Sequence, residues 1–315
     1  QVGWGGAFIV TLMIVMELTT NVLGIESLQN IWAQVGIAAA IAAIFGMFIT
    51  DTDGDGLEGA IRSFGRPMYI FLLLIMLALA TTELGTDAWV KDLLKPALNS
   101  AMGIDSGWVL VYTAAIMMVL RFSCGPLIGA IKPLGVLAAS AAVVTVGIWW
   151  LAILADDLAV GAMVILLAAT IYGIGQTFFW PTTLGFVSEQ FPRGGVMTLN
   201  LIAGVGMLGV GVLGNPWLGN VQDTRVVEAL QAGNPTIAAE YITPEKPSLF
   251  GSYASLTPEA TTAPPEHAEF IAQAQRAGKA DALAAVSILP IFMLVSYLVL
   301  IAYYRSRGGY RPVEL

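Results

Sequence analysis

Long apolar runs separated by short polar segments organise the chain. The clearest are Met68–Thr81, Trp108–Leu120, Leu134–Leu154, Leu158–Phe179, Val196–Leu213 and Ala284–Tyr304. A helix that crosses a bilayer needs roughly 20 apolar residues, because the hydrocarbon core is about 30 Å thick. The pattern therefore predicts an all-α membrane protein with eight transmembrane helices, at 4–25, 31–50, 68–86, 107–130, 134–155, 158–187, 194–213 and 284–304. Residues 51–67 read as a polar linker, 305–315 as a polar tail, and 214–283 as a long insert rich in Pro, Ala, Thr and acidic residues. The insert is predicted to be loop apart from a short surface helix at Ala268–Arg276.

Arginine and lysine in the short loops give the orientation, since positive charge stays on the cytoplasmic side. Arg62, Arg66, Arg121, Lys132, Arg193, Arg305, Arg307 and Arg311 fall on one side, and only Lys91 and Lys95 on the other. Both chain ends and the 51–67 linker are then expected in the cytoplasm, and the insert outside. Long loops cross whatever their charge, so Arg225, Lys246, Arg276 and Lys279 do not oppose this.

Composition strengthens the membrane assignment. The chain is 57% hydrophobic and 11% charged with a mean hydropathy of +0.78, against about 25% charged in a soluble domain. The net charge of −8 argues against nucleic acid as a partner, because a nucleic-acid-binding surface should be basic overall. Cys124 is the only cysteine, which rules out an internal disulfide. The chain opens on Gln1 with no basic segment before the first apolar run, and reads as a processed product or fragment. The single histidine, His267, is expected to be an incidental exposed loop residue.

Two motif-like strings carry no chemistry. Gly204-Val-Gly206-Met-Leu-Gly209 spells a dinucleotide fingerprint, but it lies inside an apolar run with no preceding strand. Small residues that let helices approach are the better reading. Asp51-Thr-Asp53-Gly-Asp55-Gly56 begins like a calcium loop, but its twelfth position is Arg62 rather than Glu. No zinc spacing or catalytic triad is present in the sequence, so no cofactor, no metal and no enzymatic activity is expected.

The polar residues inside the apolar runs are the candidates for function, because ionisable groups cost roughly 2.5–3.5 kcal/mol at a membrane helix centre. Glu17 and Asn21 stand four apart and share a face with Thr20. Glu17 reads either as an ion-coupling carboxylate or as an interfacial residue reaching the headgroups. Glu83 and Asp87 are likewise four apart. Two close carboxyls resist ionising together and can share a proton, and the alternative is an exposed outer helix end. Trp89 reads as a solute-stacking ring or a headgroup anchor. Tyr172, Gln176, Trp180 and Thr183 fall at i, i+4, i+8 and i+11, one helical face that offers rings, an amide and a hydroxyl to a hydroxylated solute. Pro181 is expected to bend that helix.

Three stretches resemble a known family. Glu83-Leu84-Gly85-Thr86-Asp87-Ala88-Trp89 is the first. Leu120-Arg121-Phe122-Ser123-Cys124-Gly125-Pro126-Leu127 followed by Ile131-Lys132-Pro133-Leu134 is the second. Phe178-Phe179-Trp180-Pro181-Thr182 with Glu189-Gln190-Phe191-Pro192-Arg193-Gly194-Gly195 is the third. Over residues 60–305 the chain resembles the C-terminal portion of a major facilitator superfamily transporter, in particular the fucose and glucose permease branch. Leu120 departs from the glycine of that branch.

The resemblance implies that 68–213 and 284–304 form a six-helix C-terminal lobe, and that residues 1–50 hold the last two helices of an N-terminal lobe. It implies a cytoplasmic gate at Arg121, pairing with helix ends or with Glu189, and with Arg193 in the same gate; the alternative for Arg121 is a positive-inside anchor. The expected function is secondary active transport of a sugar or related metabolite, coupled to protons or sodium, by a monomer in a bacterial inner (plasma) membrane. Its partners would be the small-molecule substrate and the lipid bilayer. A drug or metabolite exporter of the same superfamily and a membrane-embedded lipid-modifying enzyme are the alternatives.

Overall fold

The computed structural model describes residues 2–19, 30–49, 66–87, 107–122, 124–155 and 162–313. Among them the chain is helical, with no strand beyond two isolated antiparallel bridges, Ile242 with Leu256 and Lys246 with Tyr253. The helices are α1 (Val2–Glu17), α2 (Ile31–Ile49), α3 (Pro67–Ala80), α4 (Gly107–Arg121), α5 (Cys124–Ala155), α6 (Ala162–Gln176), α7 (Phe179–Gln190), α8 (Gly195–Gly209), α9 (Asn215–Gly233), α10 (Pro235–Tyr241), α11 (Pro265–Val286) and α12 (Ile288–Ser306). Wide π-type turns extend α3 over Thr81–Gly85 and join α8 to α9 over Val210–Gly214.

Among the described residues, five helical stretches are long and apolar enough to cross a membrane: Pro67–Gly85, Cys124–Leu154, Met163–Gln190, Pro192–Gly233 and Pro265–Ser306. They surround one core that contains Tyr69, Met76, Leu137, Val144, Phe186 and Met293. Close packing comes from small residues. A Cβ on Gly147 would stand 2.7 Å from Tyr172 Cα, and one on Gly175 2.7 Å from Val144 N, so α5 and α6 touch along their backbones. Gly206 and Gly209 of α8 lie against Met76 and Leu77 of α3, the packing use expected of that glycine string.

Several boundaries differ from the sequence reading. The helix expected over 107–130 stops at Arg121, and a new helical piece starts at Cys124. That piece breaks again at Lys132, where φ is 64° and ψ 158° ahead of Pro133. Proline disfavours a helical conformation in the residue before it, so the chain leaves the helix at Lys132 and restarts with proline in the first turn. The helix expected over 158–187 is interrupted at Thr177–Phe178.

The largest correction concerns the insert. Residues 214–283 are mostly helix: α9, α10 and α11 occupy Asn215–Tyr241 and Pro265–Val286. The stretches Pro192–Gly233 and Pro265–Ser306 are each 42 residues long. At 1.5 Å per residue each is about 60 Å, twice the thickness of the hydrocarbon. Each is thus about twice as long as one crossing needs, and α9 packs against α11, where a Cβ on Gly278 would meet Val226 Cα at 2.5 Å. A second small core of Leu230, Ile237, Ala238, Tyr241, Ala260, Ile271 and Ala274 closes the tip. Asn234 caps α10 by accepting from the amides of Thr236 and Ile237, both at 3.2 Å. His267 lies on α11 rather than in a loop, its ring edge-on against Tyr241, with Nδ1 3.2 Å from the Tyr241 hydroxyl and 3.7 Å from Glu240 Oε2.

Candidate functional site

Three helix interruptions meet at one level. The π-type turn Thr81–Gly85 follows α3, Arg121 ends α4, and Thr177–Phe178 separates α6 from α7. A π-type turn inserts a residue into the helix and takes carbonyls out of the regular ladder. Here Thr82 O accepts from Gln176 Nε2 at 3.3 Å and from Tyr172 OH at 3.1 Å. Thr86 Oγ1 also donates to Thr82 O at 2.5 Å and meets the Tyr172 hydroxyl. Gln176 Nε2 further donates to Tyr172 OH at 2.5 Å and reaches Glu83 O at 3.5 Å. Tyr172 OH faces Asp87 Oδ1 at 3.4 Å. Gln176, Tyr172, Thr82 and Thr86 are all buried.

The charged part adjoins this polar hub. Glu83 is 6% exposed, and its Oε1 lies 3.6 Å from an Arg121 guanidinium nitrogen. Its other oxygen, Oε2, is buried without a hydrogen-bond partner among the described residues. Arg121 Nε donates to Thr177 O at 3.3 Å. That carbonyl is free because Pro181, four residues on, has no N–H to donate back. Pro181 thus creates the acceptor that holds Arg121. Gln176 lies in the middle of the 28-residue stretch Met163–Gln190, and the hub around it is buried, while the Arg121 side chain, 46% exposed, covers Glu83 from the outside.

Glu83 and Asp87 are therefore not an exposed helix end. Arg121 and Glu83, expected near opposite faces of the membrane, are ion-paired. Of the two pairings expected for Arg121, the one with a helix end occurs, at Thr177 O, and no ion pair with Glu189 occurs among the described residues. Glu189 instead accepts from the Tyr310 hydroxyl, and its backbone carbonyl accepts from Val313 N at 2.9 Å. Burial first, and then the Glu189 carboxylate, push the Tyr310 phenol above its ordinary pKa, so it stays protonated and donates. Arg193 is exposed on the turn Pro192–Gly194.

The four-residue face on the sixth predicted helix is divided. Tyr172 and Gln176 reach the hub, while the break at Thr177–Phe178 places Trp180 and Thr183 on α7. Trp180 packs on the apolar core, and Thr183 is buried with Oγ1 unpartnered among the described residues. Helical spacing cannot be carried across a broken helix, which is why the face did not persist. Glu17 closes α1, but its side chain lies outside the described residues, as do Asn21 and Trp89. Thr82, Thr86 and Thr177 were not singled out from sequence. Their signals were the four-residue spacing of Thr82 and Thr86 on one face, and the position of Thr177 four residues before Pro181.

No group of three or more His, Cys, Asp or Glu suited to a metal ion occurs among the described residues. No family model matches the chain, and no curated protein is significantly similar to it.

Proposed function

We propose that the protein is a secondary active transporter of the major facilitator type. It moves a small polar solute, a sugar or related hydroxylated metabolite, by alternating access with proton or sodium coupling. The observation that supports this most is the buried Glu83 carboxyl, half paired with Arg121 and half unpartnered, where three helices are interrupted. Buried ionisable groups at broken helices are what solute and ion sites in transporters are made of.

In this reading solute hydroxyls compete for the Gln176 amide and the Tyr172 hydroxyl, which otherwise bond to Thr82 O. The coupling ion or proton binds at Glu83 and, with Asp87, loosens the hold on Arg121. Eight spans cross a bacterial plasma membrane with both ends cytoplasmic. The last six form one lobe, and α1 and α2 belong to the other. The protein works as a monomer and needs no cofactor.

The test is uptake of labelled sugars into proteoliposomes with and without imposed proton and sodium gradients. Gradient-driven accumulation is expected in the wild type. Glu83→Gln should lose at least about tenfold of that accumulation while keeping solute exchange at equilibrium. Absence of uptake for every sugar defeats the substrate class, and indifference to both gradients defeats the coupling.

A further inference from the structure

At the opposite end of α3 from the Glu83 site, a cleft of about 460 Å³ opens between α3, the end of α7, and α12. Its walls are apolar and lie on membrane-spanning helices: Phe71 on α3, and Val299 and Leu300 on α12. Its mouth is basic. The Arg66 guanidinium lies 5.8 Å from the centre of the Phe191 ring, and that of Arg307 lies 4.8 Å from the Tyr303 ring. Phe191 and Tyr303 both line the cleft.

Each guanidinium thus stands over a ring face within cation–π range, an attraction that holds the charge at the mouth of the cleft. Both arginines are exposed, and neither has an ion pair among the described residues. Arg305 and Arg311 add positive charge at the same end. Glu189, the carboxylate among the described residues there, is occupied by the Tyr310 hydroxyl. The tail that carries Tyr310 is tied down by Val313 N to Glu189 O at 2.9 Å and by Gln190 Nε2 to Arg311 O at 2.9 Å, so Val313 forms a fixed wall.

We propose that this cleft binds an anionic glycerophospholipid from the surrounding leaflet. The phosphate would sit between Arg66 and Arg307, and one acyl chain would run along Phe71, Val299 and Leu300. The argument is charge complementarity joined to depth. A basic mouth alone suits any anion, but the walls continue into the span as hydrocarbon, which only a lipid matches at both ends. The inference depends on the chain lying in a membrane and not on the transport reading.

The test is thermal unfolding of the purified full chain in mixed micelles with phosphatidylglycerol or phosphatidylcholine. Phosphatidylglycerol should raise the midpoint above that in phosphatidylcholine. The double variant Arg66→Gln/Arg307→Gln should lose this difference while its midpoint in phosphatidylcholine is unchanged. Val299→Trp, which fills the acyl groove and keeps both arginines, should lose it as well. Arg193→Gln/Arg305→Gln should keep it. Equal midpoints in the two lipids overturn the proposal, as does an undiminished difference in the Arg66/Arg307 variant. Loss of the difference in the Arg193/Arg305 variant would show unspecific charge and overturn it too. So would a full shift from water-soluble glycerol phosphate alone, which would mean a phosphate site without an acyl groove.

Discussion

The helices around Glu83 and the paired helices α9 and α11 solve opposite problems. α3, α4 and α6 are each interrupted within the bundle, at Thr81–Gly85, after Arg121 and at Thr177–Phe178. The stretches Pro192–Gly233 and Pro265–Ser306 reach 42 residues each; the first passes through the π-type turn Val210–Gly214 and ends in the unbroken helix α9, and the second begins with the unbroken helix α11. In hydrocarbon an unmatched backbone group costs several kcal/mol, so a break persists only where other groups satisfy what it releases. Thr82 O and Thr177 O are satisfied in this way, by Tyr172, Gln176, Thr86 and Arg121. The α9–α11 pair needs no such compensation. It is held by a backbone contact at Gly278 and a small apolar core at its tip. Polar side chains are spent where the ladder is broken, and small residues where it is whole.

The largest expected effect comes from forcing apart the helices that present the hub. Gly147→Leu would drive a side chain into the Tyr172 backbone and should cost about 3 kcal/mol or more, seen as a collapse of folded yield and midpoint in detergent. A midpoint near wild type would mean that α5 and α6 do not fix the hub. Gly278→Leu makes the matching insertion in the α9–α11 pair and should cost roughly 2 kcal/mol. The damage should stay local, with new protease cleavage around residues 242–257 while the membrane bundle stays resistant. If the bundle opens as well, the two regions form one cooperative unit and the contrast between them fails.

Arg121→Met leaves Glu83 buried with no cationic partner and should lower stability by roughly 1–3 kcal/mol. Adding Glu83→Gln should recover part of that loss, so that the two changes are not additive in a double-mutant cycle. Strict additivity would show that the 3.6 Å pair carries no coupling. The smallest effect is expected at the tip. Asn234→Ala removes the α10 cap and should cost about 1 kcal/mol, read as faster amide exchange over Thr236 and Ile237.

Much of the fold was legible in the apolar runs. The insert was misread because Pro, Thr and acidic residues were weighed as a loop composition. The helix signals were present: Asn234 before Pro235, and Pro264-Pro265 opening an alanine-rich stretch. Of the candidate site, Glu83, Asp87, Tyr172, Gln176 and Arg121 were picked out as polar exceptions, but Arg121 was set apart as a gate. It was counted with the other short-loop arginines on one membrane face, and loop-charge counting cannot detect a helix that ends early.

The sequence by itself determined a helical protein with stretches long and apolar enough to cross a membrane, because apolar length and the cost of burying charge are local properties of the chain. It also marked which polar residues stand where polarity is expensive. Only the tertiary structure decided which of them meet. Pairing Glu83 with Arg121, and freeing Thr177 O to hold it, depends on three helices breaking at the same depth. That coincidence lies in the packing of separate segments, and no periodicity within any one segment encodes it.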